Sequence, residues 1–78
     1  MLTNTTPGAC RDRSYRLGRV LSRFGNGSRP RLWWEFLDGH RERIVAARRI
    51  ATDVVRVETE GHSFSVSASR YVYTRRGA

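Results

Sequence analysis

The histidines, the carboxylates and the single cysteine are the side chains of this 78-residue sequence that could carry acid–base, nucleophilic or metal chemistry. A catalytic nucleophile needs a positioned base and a third group that orients the base. Cys10 stands in a polar N-terminal stretch, while His40 and His62 each adjoin a turn signal, so no such set is indicated. The acidic residues cluster around turns among many arginines and predict surface ion pairs. We therefore expect no catalytic residue and no enzymatic activity.

Metal and cofactor chemistry has equally little support in the sequence. A structural zinc site needs about four Cys or His ligands at characteristic spacing, whereas the chain has one Cys and two His. Asp38, His40 and Glu42 alternate and would form at most a partial site at a hairpin. The GNGS loop lacks the lysine of a phosphate-cradling loop. The sequence thus predicts no metal and no cofactor.

The arginines carry the stronger functional signal. All 15 basic residues are Arg against seven acidic residues, which gives a net charge of +8 that attracts polyanions. Arg contacts phosphate with two parallel hydrogen bonds, and aromatic rings offer stacking platforms for bases. We therefore expect a non-enzymatic module that binds DNA or RNA mainly through phosphate. The candidate contact residues are Arg19, Arg23, Arg29, Arg31, Trp33, Arg43, Arg48, Arg49, Tyr71, Tyr73, Arg75 and Arg76.

An alternative partner for the same side chains is an acidic protein surface. Trp, Tyr and Arg are the residues enriched at protein–protein hot spots. The chain would then be a small accessory, regulatory or inhibitory protein, such as one from a phage or plasmid. Exposed edge strands could also pair with a second copy to give a homo-oligomer. The sequence leaves these alternatives open.

Composition also indicates the compartment. One cysteine allows no intramolecular disulfide, and the N-terminal residues contain no apolar segment of the kind found in signal peptides. The longest aliphatic run covers only residues 44–47, which is too short to cross a bilayer. We expect a cytoplasmic protein with no membrane partner.

Turn signals divide the chain into a flexible tail at 1–13 and a single small β domain at 14–76. Asp38-Gly39 between apolar runs is a strong hairpin signal, and Glu60-Gly61 is a plausible second turn. The strands expected from alternation and β-branched or aromatic content are 14–24 with a bulge near Gly18, 31–37, 41–47, 54–59, 62–68 and 70–74.

Residues 41–52 fit two structures. Ile44, Ala47 and Ala51 have the spacing of a helical stripe, which would give an α+β fold with a helix at 41–52. The preceding Asp38-Gly39 pair and the β-branched content favour a strand, which is the structure we expect here.

Five to six short strands separated by frequent turns predict a small antiparallel barrel or curled sheet. The C-terminal part, with a strand pair, a small-residue turn at 67–69 and a short RYVYT strand, resembles the last strands of SH3-like barrels. The resemblance implies a fold only. The Trp pair stands too far upstream for an SH3 domain, and the acidic loop that binds proline-rich peptides in SH3 domains has no counterpart.

Alternation assigns the two adjacent tryptophans to opposite faces of one strand. Trp34 shares its face with Leu32 and Phe36 and is expected in the core. Trp33 is either a second buried ring covered by the tail or first strand, or the centre of a binding surface. The expected core residues are Leu17, Val20, Leu21, Leu32, Trp34, Phe36, Ile44, Val55, Val57, Phe64, Val66 and Val72.

Overall fold

Short β-branched and aromatic stretches form six antiparallel strands in the computed structural model, which describes residues 12–77. The elements in chain order are β1 (Ser14–Arg16), α1 (Leu17–Val20), a 3-10 segment (Leu21–Gly27), β2 (Trp33–Glu35), β3 (Arg41–Ala51), β4 (Val54–Thr59), β5 (Ser63–Ser67) and β6 (Tyr71–Tyr73). The strands form one sheet in the order β1-β6-β2-β3-β4-β5, and the sheet is not closed. The mainly β prediction is confirmed, as a curled sheet and not as a closed barrel.

The ambiguous segment at 41–52 is strand β3, so the helix alternative is wrong. Gly39 adopts a φ of 93° and the Phe36 N–H donates to the His40 carbonyl at 2.8 Å, which closes the expected hairpin. The pairing of β3 with β4 shifts register between Ile44 and Ala46. This bulge turns both Ile44 and Ala47 toward the core, and it reproduces in a strand the three-residue spacing of a helix.

The expected strand at 14–24 is wrong beyond its first three residues. β1 ends at Arg16, and α1 then buries Leu17 and Val20, which share one side of a helical turn. The Leu17 N–H donates to the Arg70 carbonyl at 2.7 Å and the Gly18 N–H to the Ala68 carbonyl at 2.9 Å. Gly18 therefore serves a close helix-to-turn contact and not a bulge.

The hydrophobic core lies on one face of the sheet. Strand β4 shows this face most clearly, because Val55 and Val57 are fully buried and Arg56 between them is exposed. Full burial of such a side chain is worth about 1.5–3 kcal/mol. Of the expected core residues, Leu17, Val20, Leu32, Trp34, Ile44, Val55, Val57 and Val72 belong to the buried cluster, and Leu21, Phe36, Phe64 and Val66 pack against it.

The expected tail at 1–13 lies outside the described residues except for its last two. The Thr74 N–H donates to the Arg13 carbonyl at 3.0 Å, and the Arg13 N–H donates to Thr74 Oγ1 at 3.0 Å. Arg13 therefore continues the β1–β6 pairing by one residue. Within residues 12–77, no helix has the length and apolarity that a membrane span requires.

Candidate nucleic-acid interface

Trp33 lies on the opposite face of the sheet from the core and is nevertheless only 6% exposed. Within the described residues, it is paired across the sheet with Arg43 on one side and Tyr73 on the other. The guanidinium carbons of Arg31 and Arg43 each lie 5.9 Å from its ring centre. Arginine side chains and Tyr73 therefore help to cover the second tryptophan. The Trp33 ring is therefore covered and does not offer an open surface on which a base could stack. This corrects the alternative in which Trp33 is an exposed ring.

A continuous cross-strand row carries these side chains. Ser14 pairs with Tyr73, Tyr73 with Trp33, and Trp33 with Arg43, so the row crosses β1, β6, β2 and β3. Residues directly opposite one another in paired strands place their side chains on the same face. We name the surface around this row the arginine–aromatic face, and it consists of Arg16, Arg31, Trp33, Arg43, Tyr71, Tyr73, Arg75 and Arg76.

Arg41 supports this face, and its own positive charge is neutralised by two carboxylates. Its Nε lies 2.8 Å from a Glu35 carboxylate oxygen and its Nη2 lies 3.0 Å from one of Asp12. Its guanidinium carbon is 4.0 Å from the Tyr73 ring centre, and its Nη1 donates to the Arg75 carbonyl at 2.9 Å. Arg41 thereby holds the C-terminal residues against the sheet, which brings Arg75 and Arg76 beside Trp33.

Four arginines of the face have no carboxylate within 4.0 Å among residues 12–77, namely Arg16, Arg31, Arg43 and Arg76. Arg43 Nη2 donates to the Arg29 carbonyl at 2.8 Å, while its Nε is buried with no hydrogen-bond partner in the same part of the chain. A depression of about 280 Å³ between Arg31, Trp33 and residues 74–77 opens onto this charge. The face therefore presents uncompensated positive charge beside a hollow that would admit a phosphate.

Tyr71 supplies the open ring that Trp33 does not. It is 45% exposed, and the Arg16 guanidinium carbon lies 5.2 Å from its ring centre. A second depression, of about 260 Å³, runs from Tyr71 and Tyr73 to Leu37 and Arg70. A flat group placed there would meet one accessible ring with a cation beside it.

The predicted contact residues divide into two groups in the structure. Arg29, Arg31, Trp33, Arg43, Tyr71, Tyr73, Arg75 and Arg76 lie on or beside the arginine–aromatic face. Arg19 and Arg23 lie instead on the α1 and 3-10 segments, and Arg48 and Arg49 lie in the C-terminal half of β3. The structure does not bring these four arginines to the face.

Arg16 and Arg70 complete the surroundings of Tyr71 and were not among the predicted contacts. Arg16 is the cross-strand partner of Tyr71, and the Arg70 guanidinium carbon lies 5.1 Å from the Trp34 ring centre. Alternation within β1 separates Arg16 from the inward Tyr15. Its register with β6 depends on residues more than 50 positions away, which local patterns do not specify.

The two histidines belong to a polar network that joins the two hairpin turns. Glu42 accepts from the Thr59 hydroxyl at 2.6 Å, and its carboxylate lies 2.9 Å from His62 Nδ1 and 3.3 Å from His40 Nε2. The Thr59 hydroxyl and then His62 lower the pKa of Glu42 to about 2. The hydrogen bond to Asp38 raises the pKa of His40 above its usual value.

This network agrees with the prediction of exposed turn residues engaged in surface ion pairs. Both histidines are exposed, and Phe36 stacks on the His40 ring at 4.5 Å between centres. No group of three or more His, Cys, Asp or Glu within residues 12–77 is placed to hold a metal ion.

Comparison with known proteins yields no match to a family model, to a curated protein or to a solved structure.

Proposed function

We propose that the chain is a non-enzymatic, cytoplasmic nucleic-acid-binding module that contacts phosphate through the arginine–aromatic face. The observation that supports it best is the cross-strand row in which Tyr73, Trp33 and Arg43 lie side by side beneath Arg31. Arg16, Arg31, Arg43 and Arg76 lack carboxylate partners within the described residues, so their charge is available to an anion. Neutralising phosphates releases counterions, and this release supplies most of the affinity for a polyanion.

The buried Trp33 ring supports this proposal because it restricts the motion of the arginine side chains beside it. A guanidinium held near an indole ring gains about 0.5–1 kcal/mol at an exposed site and more when desolvated. Arg31 and Arg43 each have such a contact with Trp33, and Arg43 also donates to a backbone carbonyl. Their side chains are thus partly ordered before a ligand arrives, which lowers the entropy lost on binding.

Single strands suit the face better than a duplex. Base–aromatic stacking needs unpaired bases and contributes about 1–3 kcal/mol per base. Tyr71 offers the accessible ring, with Arg16 beside it for the adjoining phosphate. The α-helix of the described residues has four residues and is too short to read a major groove. We therefore expect weak sequence preference.

The salt dependence of binding tests this function. If about four arginines each neutralise one phosphate of a single strand, the slope of log K against log salt is about −3. Fluorescence anisotropy with labelled single-stranded DNA and RNA over a range of sodium chloride measures this slope. Absence of binding at low salt, or an affinity that does not change with salt, would refute the proposal.

A further inference from the structure

Strand β5 forms one edge of the sheet and is paired on one side only. It stands last in the strand order, and within residues 12–77 it pairs with β4 alone. β4 is also the only strand or helix of these residues that packs extensively along β5. Because β4 occupies one side, the other side of β5 is an open edge that can accept a further strand.

The register with β4 shows which backbone groups face this open edge. The Thr59 N–H donates to the His62 carbonyl at one end of the pairing, and the Ala68 N–H donates to the Asp53 carbonyl at the other, both at 2.9 Å. In an antiparallel pair, residues that bond to the neighbouring strand alternate with residues that direct their groups away from it. The even-numbered residues of β5 therefore bond to β4, and the odd-numbered residues direct their N–H and C=O groups to the open edge.

These outward groups belong to Ser63, Ser65 and Ser67. The Ser67 carbonyl accepts from the Arg70 N–H at 3.2 Å, and for the others no hydrogen bond is observed within residues 12–77. The edge therefore presents an alternating set of backbone donors and acceptors that a second strand can complete.

The edge also lacks the features that usually prevent strands from pairing. Natural edge strands are protected by charged side chains, proline or bulges. β5 reads SFSVS, and its register with β4 has no shift. Residues 61–69 are the longest stretch of the described residues without Arg, Asp or Glu. In a chain of net charge +8, a second copy can approach this stretch with the least repulsion.

We propose that two copies of the chain pair antiparallel through β5, about a two-fold axis at Ser65. This register places Ser65 opposite Ser65 of the second copy and Phe64 opposite Val66, and it matches the outward groups of Ser63 with those of Ser67. Phe64 and Val66 pack against the core and are each partly exposed, so the pairing covers apolar surface. The same edge serves both copies, so the dimer is closed.

The opposite edge of the sheet suits a second copy less well. β1 has three residues against five in β5, and α1 follows it directly. A contact between β5 of one copy and β1 of another therefore forms fewer hydrogen bonds than the β5–β5 pairing. A nucleic acid finds no cation on β5 itself, so this edge is separate from the arginine–aromatic face and the dimer does not depend on nucleic-acid binding.

Sedimentation equilibrium of the nuclease-treated full chain tests the dimer. We expect the average mass to rise from that of a monomer toward that of a dimer as the protein concentration increases. Added sodium chloride should strengthen the dimer, because it screens the repulsion between two chains of net charge +8. Nucleic-acid binding weakens with salt, so the two proposals fail independently. A monomer at every protein and salt concentration, or association that the nuclease abolishes, would overturn the proposal.

Hydrogen exchange measured by NMR locates the contact. The amides of Ser63, Ser65 and Ser67 should exchange rapidly in the monomer and slowly in the dimer, whereas the amide of Phe64, bonded to β4, should be protected in both. Slowing in β1 and not in β5 would replace the proposal with pairing through the opposite edge. Protection of β5 that is independent of protein concentration would show that another segment, such as residues 1–11, covers the edge, and would also overturn the proposal.

Ser65→Pro and Ser65→Thr are the matched variants. Proline is tolerated on an edge strand where the missing N–H faces outward, so Ser65→Pro should fold and stay monomeric at concentrations where the parent chain dimerises. Ser65→Thr keeps the N–H and should dimerise as the parent does. Circular dichroism checks that the proline variant is folded, and if it is not, hydrogen exchange of the parent chain decides alone. Equal dimerisation of a folded Ser65→Pro variant and the parent would contradict the proposed contact.

Discussion

Arg43 and Trp33 face each other across the β2–β3 pair on the side of the sheet away from the core, with the guanidinium carbon 5.9 Å from the indole ring centre. The contact explains how an outward-facing tryptophan is almost fully covered in so small a domain. The ring and the cation stabilise each other, and the cation stays close to the surface. A packing residue and a proposed binding residue thus share one contact.

Trp33→Ala should therefore lower the stability of the fold. We expect a loss of about 3 kcal/mol, the lower end of the range for a buried aromatic ring, because the ring lies outside the core cluster. Urea unfolding followed by circular dichroism measures the loss. Trp33→Phe, which keeps a ring for both arginines, should lose less. A midpoint unchanged by Trp33→Ala would show that the ring does not pack as described.

Tyr71→Ala should affect binding and spare stability. The ring is 45% exposed, so its removal costs little packing. If Tyr71 stacks on a base, the affinity for single-stranded nucleic acid should fall by about 1–3 kcal/mol. Tyr71→Phe keeps the ring and should bind as the parent chain does. Equal affinities for the alanine variant and the parent would remove Tyr71 from the interface.

Gly18→Ala should destabilise the contact between α1 and the turn before β6. A Cβ at position 18 would lie 3.2 Å from the Ala68 Cβ and 3.3 Å from the Ala68 carbonyl oxygen, and the hydrogen bond from the Gly18 N–H holds that oxygen in place. We expect a loss of about 1 kcal/mol or more despite the better helix propensity of Ala. Ala68→Gly in the same chain should recover part of the loss in a double-mutant cycle. Simple additivity of the two changes would contradict the contact.

The hairpin network predicts how stability depends on pH. The pKa of Glu42 falls from 4.5 to about 2 on folding, so its contribution is complete above pH 4.5 and is lost as the pH falls toward 2. Folding raises the pKa of His40 above 6.5, so its contribution is complete below pH 6.5 and is lost as the pH rises through the folded value. These two groups favour a stability maximum between about pH 4.5 and 6.5.

Urea midpoints measured from pH 2 to pH 8 check this dependence. Glu42→Gln should flatten the acid side of the curve and, because Glu42 also faces His40, reduce the fall on the alkaline side. Glu58→Gln removes an exposed carboxylate for which no ion pair is observed in the described residues and is the matched control. A parent curve with no loss of stability between pH 4.5 and pH 2 would contradict the role of Glu42.

Local sequence patterns were sufficient to predict which side chains are buried where one strand alternates without interruption. In β4, for example, Val55 and Val57 point inward and Arg56 points outward. The same patterns predicted the wrong structure where an irregular backbone changes the spacing of the buried residues. The bulge after Ile44 imitates helical spacing within a strand, whereas the short helix at 17–20 continues directly from a strand. In both places the tertiary contacts, and not the local sequence, determine the backbone.

The candidate site could be predicted only in part, because it too depends on tertiary contacts. Alternation placed Trp33 and Trp34 on opposite faces, but it did not show that Arg31, Arg43 and Tyr73 would cover Trp33. This cover depends on the pairing of β2 with β6, which joins residues 40 positions apart. The same long-range register brings Arg16 to Tyr71 and leaves Arg48 and Arg49 in a different region of the sheet.

We propose that the arginine–aromatic face, and not the overall charge, binds nucleic acid. Two double variants that remove the same charge test it, one with Arg31→Gln and Arg76→Gln and the other with Arg48→Gln and Arg56→Gln. Anisotropy titrations against single-stranded DNA and RNA should show for the first variant a salt slope shallower by about 1.4, from two lost phosphate contacts, and for the second an unchanged slope. Equal losses in the two variants would contradict the account.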